Sequence, residues 1–319
     1  MLKACRRLAI AAPIAAFWLA ATASAARPET GCNARGPTDD LKSVCRGFDH
    51  DGGRRFYRIY KPAGQLGAIL FVLHGAGGSG SAQERIDGGS FARLADRERF
   101  LLVFPDGLGR MWNDGRGRTV ANDVDDVGFL TALLAALRRE HRLPGVPAYA
   151  AGMSNGGMMA FKLACDAADR FSAVAAVVAN MSIRLAESCA PTQPIAVAVM
   201  NGTADPLIPY NGGAVGIGQF VWSRVLSTAE TVSFWSSANG CAAPPVGDTQ
   251  QTEDGYALLI EYRARCRDGT EVMLIRVEQG GHTWPGGLQY LPAAVVGPTV
   301  RGFDGSAALW AFFRRAGRR

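Results

Sequence analysis

Short, continuously apolar runs alternate with segments of helical periodicity over most of this 319-residue chain. Runs of four to six apolar residues are typical of strands that are buried on both faces of a sheet. Five such runs are Ala68–Leu73, Phe100–Phe104, Ala148–Ala151, Ala173–Val178 and Ile195–Met200. Because buried strands that alternate with helices form βαβ units, the pattern predicts an α/β fold with a mostly parallel central sheet and helices on both faces.

The remaining elements complete this pattern. Apolar residues at helical spacing predict helices after Ser154 and over four further segments: Phe91–Arg99, Val124–His141, Ala229–Asn239 and Ser306–Arg315. Tyr256–Tyr262 and Val272–Val277 are predicted strands, and the alternation in Arg54–Lys61 is typical of a half-exposed edge strand. Residues 26–53 are predicted to be a disulfide-pinned lead-in, and Asn211–Gly218 a loop.

The first 25 residues have the features of an export signal. Lys3, Arg6 and Arg7 precede the apolar segment Leu8–Ala21, and Ala23–Ala25 fits a small-residue cleavage site. No later apolar run approaches the roughly 18 residues of a membrane span. We therefore expect a signal peptide over residues 1–25, one catalytic domain over 26–319, and an extracellular or periplasmic location.

Removal of the signal changes the charge balance and the cysteine count. The remainder has 31 basic and 28 acidic residues, an excess too small and too dispersed to indicate nucleic-acid binding. Six cysteines remain, and an even number in an exported protein favours disulfides. Six cysteines allow 15 connectivities, and the sequence alone does not choose among them. Our hypothesis is that neighbours pair, since each pair closes a loop of modest length: Cys32–Cys45, Cys165–Cys189 and Cys241–Cys266. The cysteine spacing and only four histidines do not indicate a metal site.

A candidate nucleophile lies in the glycine-rich stretch that follows Ala148–Ala151. Residues 152–156 read Gly-Met-Ser-Asn-Gly and fit G-x-S-x-G, a sharp turn from a strand into a helix that exposes its serine. Small residues at Gly152, Gly156 and Gly157 would let the strand and the helix approach each other closely. The alternative is a glycine-rich turn in which Ser154 only caps the helix.

A second glycine-rich stretch, His74–Ser79, follows the strand Ala68–Leu73 directly. Such a loop can direct a backbone N–H at a developing negative oxygen, so Ala76 and Asn155 are the predicted oxyanion-hole donors. An ordinary glycine loop and a phosphate cradle are the alternatives. The Lys-Ser/Thr ending of a phosphate-binding P-loop is missing here, which counts against a nucleotide.

An acid and a base follow two further predicted strands. Asp205 comes shortly after Ile195–Met200, where it is either the acid of a catalytic triad or a turn residue before Pro206. His282 comes after Val272–Val277 and is the one histidine that lies downstream of both the serine and this acid. The carboxyl ends of parallel strands meet at one edge of a sheet, so we expect these residues to converge there.

The predicted chemistry is acyl transfer without a cofactor. His282 would remove the proton of Ser154 as it attacks an ester carbonyl, Asp205 would orient the imidazole, and water would hydrolyse the acyl-enzyme. Three aromatic residues are candidates for binding the substrate: Trp284, Trp112 and Tyr210. For Trp284, a place in the core is the alternative.

Several motifs resemble the exported polyhydroxybutyrate depolymerase and feruloyl/acetylxylan esterase family. They are His74-Gly75, Trp-Asn-Asp at 112–114, Gly-Met-Ser-Asn-Gly-Gly at 152–157, Gly-Thr-Ala-Asp-Pro at 202–206 and Gly-Gly-His-Thr-Trp-Pro-Gly at 280–286. The resemblance covers roughly residues 50–315 and implies an α/β-hydrolase fold, ester hydrolysis and a triad of Ser154, Asp205 and His282. Asn201 departs from the pattern, because members of the family more often have histidine before Gly-Thr.

The resemblance also implies a substrate class. It favours poly(3-hydroxybutyrate) or its oligomers, with feruloyl or acetyl esters on plant polysaccharide as the alternative. The catalytic unit takes up nearly the whole chain, so we expect oligomers or amorphous polymer to be cleaved faster than crystalline granules. A protein of a different class, an esterase fold that binds ligands without catalysis, is tested by replacing Ser154.

Overall fold

The computed structural model describes residues 32, 41–117, 123–217, 220–242, 244–263 and 265–317. The predicted signal peptide over residues 1–25 lies outside the described residues. The described part of the predicted lead-in begins the central sheet of the fold, because residues 44–50 form its first strand.

The described residues contain one ten-stranded sheet and a separate two-stranded hairpin. The strands are β1 Val44–His50, β2 Gly53–Tyr60, β3 Ala68–Leu73, β4 Phe100–Pro105, β5 Ala148–Met153, β6 Ala173–Val177, β7 Ala196–Gly202, β8 Gly213–Ile217, β9 Phe220–Val225, β10 Val246–Gln251, β11 Ala257–Arg263 and β12 Val272–Val277. The order in the sheet is β1-β2-β4-β3-β5-β6-β7-β12-β11-β10, and β8 pairs with β9. The six strands from β4 to β12 in this order run parallel, and the outer pairs are antiparallel.

Helices cover both faces of the sheet. They are α1 Gly80–Ile86, α2 Ser90–Glu98, α3 Asp126–Glu140, α4 Asn155–Asp166, α5 Ile183–Ser188, α6 Thr228–Ala238, α7 Ala293–Val296 and α8 Gly305–Ala316. One core includes apolar side chains of α3, α4 and α6, and the other includes those of α2 and α8. β3, β4, β5, β6 and β7 are buried along their whole length because they lie between these two layers. The predicted α/β fold is confirmed.

Side-chain caps define the starts of several helices. Ser79 accepts a bond from the Ala82 amide at the start of α1, and Asp125 does the same for Gly128 at the start of α3. At α6, Ser227 and Glu230 form a reciprocal capping box. Such caps satisfy amides that would otherwise lack an acceptor at a helix start.

Two predictions about secondary structure are wrong. The segment predicted as an edge strand is β2, and it lies inside the sheet because β1 pairs with its outer side. The segment predicted as a loop over 211–218 contains β8, which pairs with β9 as a hairpin. The helices α1 and α5 and the strand β10 are not predicted from the sequence. Every residue of β10 is exposed, so this strand has no apolar face.

Three disulfides form, and they are the pairs predicted from the sequence: Cys32–Cys45, Cys165–Cys189 and Cys241–Cys266. Cys165 lies in the last turn of α4 and Cys189 directly follows α5, so this bond joins two helices. Three disulfides are typical of a protein from an oxidising compartment. Among the helices of the described ranges, none is both long enough and apolar enough to cross a membrane.

Candidate active site

Ser154 lies in a strained turn between β5 and α4. Its φ of 56° and ψ of −120° place a residue with a side chain in a region that favours glycine, at a cost on the order of 1–3 kcal/mol. Its amide donates to the carbonyl of Val177 at the end of β6, at 2.9 Å. Its hydroxyl makes no capping bond to α4. The alternative in which Ser154 serves as a helix cap therefore has no support in this geometry.

Glycines allow the turn to close. A Cβ on Gly152 would lie 2.1 Å from the carbonyl oxygen of Gly156, and one on Gly157 would lie 2.7 Å from the Cβ of Ala179. A Cβ on Gly156 would lie 2.4 Å from the carbonyl oxygen of Leu73, at the end of β3. The strand, the turn and the helix can pack at this distance because these side chains are missing.

The loop after β3 contacts the candidate nucleophile. A Cβ on Gly75 would lie 3.5 Å from the Cβ of Ser154. Within the described residues, neither the Ala76 amide nor the Asn155 amide donates to a protein acceptor. The Gly77 amide donates to Arg110, at 2.8 Å, and holds the loop in place. Asn155 directly follows Ser154, and Gly75 brings the loop that carries Ala76 against it, so both amides remain candidate donors for an oxyanion hole.

His74 supports this loop from inside the protein. Its Nε2 accepts a bond from the Gly107 amide at 3.0 Å, so its Nδ1 carries the proton and donates to the Gly75 carbonyl at 2.8 Å. Burial lowers the pKa of His74 to about 4. The imidazole is therefore neutral at physiological pH and joins the loops after β3 and β4.

The side chain of Asn155 joins the turn to the residues after β4. Its Oδ1 accepts from the Trp112 amide at 2.8 Å, and its Nδ2 donates to the Trp112 carbonyl at 3.1 Å and to Asp114 at 2.5 Å. Arg116 in turn donates to Asp114 from Nε, at 2.7 Å. These bonds orient the residue whose amide is the second candidate oxyanion donor. The sequence analysis notes residues 112–114 as part of the family resemblance and Trp112 as a candidate for binding the substrate, and neither predicts these bonds to Asn155.

A buried ion pair fixes the same segment further along. Arg55 donates to Asp126 at 2.7 Å, and both side chains are almost completely buried. Asp126 also accepts from the Asn113 amide at 2.8 Å. Burial raises the pKa of Asp126, while the adjacent guanidinium opposes that rise. Breaking such a pair leaves an uncompensated buried charge, so the segment is held firmly.

Asp205 and His282 form a buried hydrogen-bonded pair. The Nδ1 of His282 donates to Asp205 Oδ2 at 2.7 Å, and both side chains are at most 3% exposed. Asp205 Oδ1 accepts from the amides of Leu207 and Ile208, each at 2.8 Å. A carboxylate fixed in this way holds the imidazole in the tautomer whose Nε2 can accept a proton. Asp205 is thus both a residue of the turn before Pro206 and the hydrogen-bond partner of the candidate base.

The topology brings the three candidate residues to one edge of the sheet. Ser154, Asp205 and His282 follow β5, β7 and β12, and these strands lie within four neighbouring parallel strands. The loops after β7 and β12 touch, because a Cβ on Gly202 would lie 2.1 Å from the carbonyl oxygen of Gly280. The geometry joins Asp205 to His282 and places Ser154 at the same edge.

Asn201, the departure from the family pattern, has a structural role. Its Oδ1 accepts from the Ala179 amide at 3.0 Å, and its Nδ2 donates to Asn180 and Thr228, each at 2.9 Å. Its side chain is buried. Asn201 thus connects the ends of β6 and β7 and stabilises the base of the loop that carries Asp205.

The three predicted substrate-binding aromatics lie in two environments. Trp284 is completely buried, donates to Ser306 at 2.9 Å and packs edge-on against Phe91, so the structure favours the alternative of a core tryptophan. Trp112 is also completely buried, and its indole donates to the His74 carbonyl at 3.0 Å. Neither indole has an open surface for a substrate. Tyr210 is half-buried, and burial raises its pKa.

Within the described ranges, no group of three or more His, Cys, Asp or Glu side chains is arranged to hold a metal ion.

A strained serine after a strand, a glycine loop against it and a buried Asp–His pair are the features of an α/β-hydrolase site. The fold is consistent with such a site. It is similar to that of "Acetyl xylan esterase from Aspergillus awamori", with a TM-score of 0.54 and 15% identity over 85% of this chain and 99% of that protein.

Sequence comparison identifies the family more narrowly, although no protein-family model matches the chain. The chain is 34% identical over 288 residues to "Putative esterase NocK" of Nocardia uniformis subsp. tsuyamanensis, covering 84% of this chain and 81% of that protein. The chain belongs to the esterase family that includes this relative.

Two further relatives are named for a substrate. "Feruloyl esterase D" of Neurospora crassa is 25% identical over 81% of this chain and 83% of its own length. "Feruloyl esterase B" of Piromyces equi is 27% identical over 64% of this chain, and the match covers 37% of that protein.

Proposed function

We propose that this protein hydrolyses carboxylic esters through an acyl-enzyme on Ser154. The observation that carries the proposal is the buried 2.7 Å contact between His282 and Asp205, at the sheet edge where Ser154 occupies its strained turn. His282 Nε2 takes the proton of the serine hydroxyl as the oxygen attacks the ester carbonyl. The alcohol leaves with that proton, and water then hydrolyses the acyl-enzyme with His282 again as the base.

In this proposal, backbone amides stabilise the negative charge that develops on the carbonyl oxygen in both steps. The negative oxygen of each tetrahedral intermediate would accept from the amides of Ala76 and Asn155. Both donors are held before substrate arrives, by His74 under the loop and by the Asn155 side chain. Donors fixed in advance need no reorganisation during the reaction, and one such donor is typically worth about 100- to 1000-fold in rate.

For the substrate, we propose feruloyl or acetyl esters on plant polysaccharide. Relatives named feruloyl esterases B and D support this class, and so does the fold that the chain shares with an acetyl xylan esterase. The motif resemblance also implied 3-hydroxybutyrate polyester, and none of these three names supports that substrate. The predicted preference for oligomers over crystalline polymer applies only to that second substrate.

The nucleophile is tested with p-nitrophenyl butyrate. Ser154→Ala should lose nearly all activity of the wild type, since no hydroxyl remains to be acylated. Ser237→Ala is the matched control, because Ser237 is exposed on α6 and outside the proposed site. If Ser154→Ala and the wild type are equally slow, the protein is an esterase fold that binds ligands without catalysis.

The substrate is tested with a panel of methyl ferulate, acetylated xylan and the 3-hydroxybutyrate trimer. Each kcat/KM is divided by the value for p-nitrophenyl butyrate, which removes differences in the active fraction of the preparation. We expect methyl ferulate or acetylated xylan to give the highest ratio. A highest ratio for the trimer would establish the polyester substrate instead.

A further inference from the structure

Tyr290 contacts the backbone of the proposed catalytic base. It lies in the loop after His282, and its hydroxyl donates to the His282 carbonyl at 3.1 Å. Burial, and to a smaller extent the nearby Asp205 carboxylate, raise the pKa of this phenol. The hydroxyl therefore keeps its proton and remains a donor at every pH at which the protein would work.

The loop that carries Tyr290 is held from both sides. Next to it, Gln289 donates from Nε2 to the carbonyls of Leu291 and Gly297, at 2.7 and 3.0 Å, and accepts from the Thr299 amide at 2.9 Å. On the other side, the Leu288 amide donates to the carbonyl of Ile86 at the end of α1, at 2.9 Å. The phenol is thus fixed in place by contacts that do not involve His282.

His282 is held by different contacts on its two sides. On the N-terminal side the backbone is closely packed, since a Cβ on Gly281 would lie 2.4 Å from the carbonyl oxygen of Val296. The Nδ1 bond to Asp205 fixes the ring, and the amide of His282 donates to Val296 at 2.5 Å, but the carbonyl is fixed by Tyr290. A shift of this backbone by a fraction of an ångström would change the direction of Nε2 toward the serine.

We infer that Tyr290 is a positioning residue for His282, whose hydroxyl fixes the backbone of the catalytic base and so the direction of its imidazole. The inference rests on the proposed function. Tyr290 acts through His282, so its loss should affect the rate of the chemical steps and leave substrate binding almost unchanged. A tyrosine that only stabilises its loop would lower the melting temperature without changing kcat.

The experiment compares Tyr290→Phe with the wild type on p-nitrophenyl butyrate. We expect kcat to fall about tenfold with KM within twofold, because misplacement well below 1 Å costs less than the roughly 100-fold typical of a full ångström. Tyr60→Phe is the matched control, because the wild-type Tyr60 hydroxyl also donates to another residue, Asp96. Tyr60 lies at the end of β2, away from the site. That variant should keep the kcat of the wild type.

The outcomes separate this inference from the proposed function. If Ser154→Ala is inactive while Tyr290→Phe keeps a kcat within twofold of the wild type, the inference fails and the proposed function stands. If Tyr290→Phe raises KM at unchanged kcat, Tyr290 binds substrate and the inference also fails. If Ser154→Ala is as active as the wild type, the proposed function itself is wrong.

Discussion

An alanine at position 156 should force the candidate nucleophile turn away from the oxyanion loop. The new Cβ would lie 2.4 Å from the carbonyl oxygen of Leu73 and 2.6 Å from that of His74. Ordinary contact begins at 3.4 Å, so α4 and the end of β3 must separate by about 1 Å. Both obstructing atoms are backbone, so no side-chain rotation can relieve the overlap.

The magnitude follows from two opposing terms. In a helix, alanine is ordinarily more favourable than glycine by about 1 kcal/mol. Overpacking against a fixed backbone costs about 3 kcal/mol or more at a site without room to relax. Gly156→Ala should therefore lower the free energy of unfolding by about 2 kcal/mol. It should also lower kcat about 100-fold, since a displacement of 1 Å in a catalytic arrangement typically costs that much.

The assay measures thermal unfolding and kcat on p-nitrophenyl butyrate side by side. Gly67→Ala is the control, because a Cβ on Gly67 has no atom within 4 Å and the residue directly precedes β3. That variant should be neutral or stabilised by up to about 1 kcal/mol, through the unfolded chain. A Gly156→Ala protein with wild-type melting temperature and kcat would refute the close packing on which the proposed site depends.

Three further predictions concern stability. Burial lowers the pKa of His74 to about 4. The stabilising contribution of the neutral imidazole is therefore fully present above the unfolded pKa of about 6.5 and is lost as the pH falls toward 4. In urea unfolding, the free energy of unfolding of the wild type should change with pH by about 3 kcal/mol more than that of His74→Gln. Burial raises the pKa of Asp87 well above its usual value, so ionisation of this buried carboxyl destabilises the fold increasingly as the pH rises. Asp87→Asn should therefore raise the melting temperature more at pH 8 than at pH 4. Replacing Cys165 and Cys189 together by serine should cost about 3 kcal/mol in chemical unfolding, because the bond closes a loop of sequence separation 24.

The parts of the fold that the sequence predicted are those with a strong local pattern. β3 and β12 begin and end at the predicted residues, because strands with both faces buried leave continuous apolar runs. β10 reads Val-Gly-Asp-Thr-Gln-Gln and has no such run. Its strand conformation comes from backbone pairing with β11, which a local pattern does not record.

The candidate site divides in the same way. Ser154 and His282 were identified from their loops and their order in the chain. Trp284, two residues after His282, was expected near a substrate, yet its indole turns inward to Ser306. The sequence does not point to Tyr290, since it lies eight positions further along the loop from His282, whose carbonyl it binds.

The sequence by itself determined the fold class and the order of serine, acid and base. Both depend on residue type and on separation along the chain, which the sequence states directly. Six cysteines allow 15 connectivities, so the sequence only favours neighbour pairing, and the tertiary structure decides it. Only the tertiary structure decided that Asp205 and His282 are in contact, that His74 is neutral, and that Ser154 adopts a strained backbone without capping α4. These properties depend on atoms from distant segments, and distances of a few ångströms between such segments are set by the packing of the whole sheet.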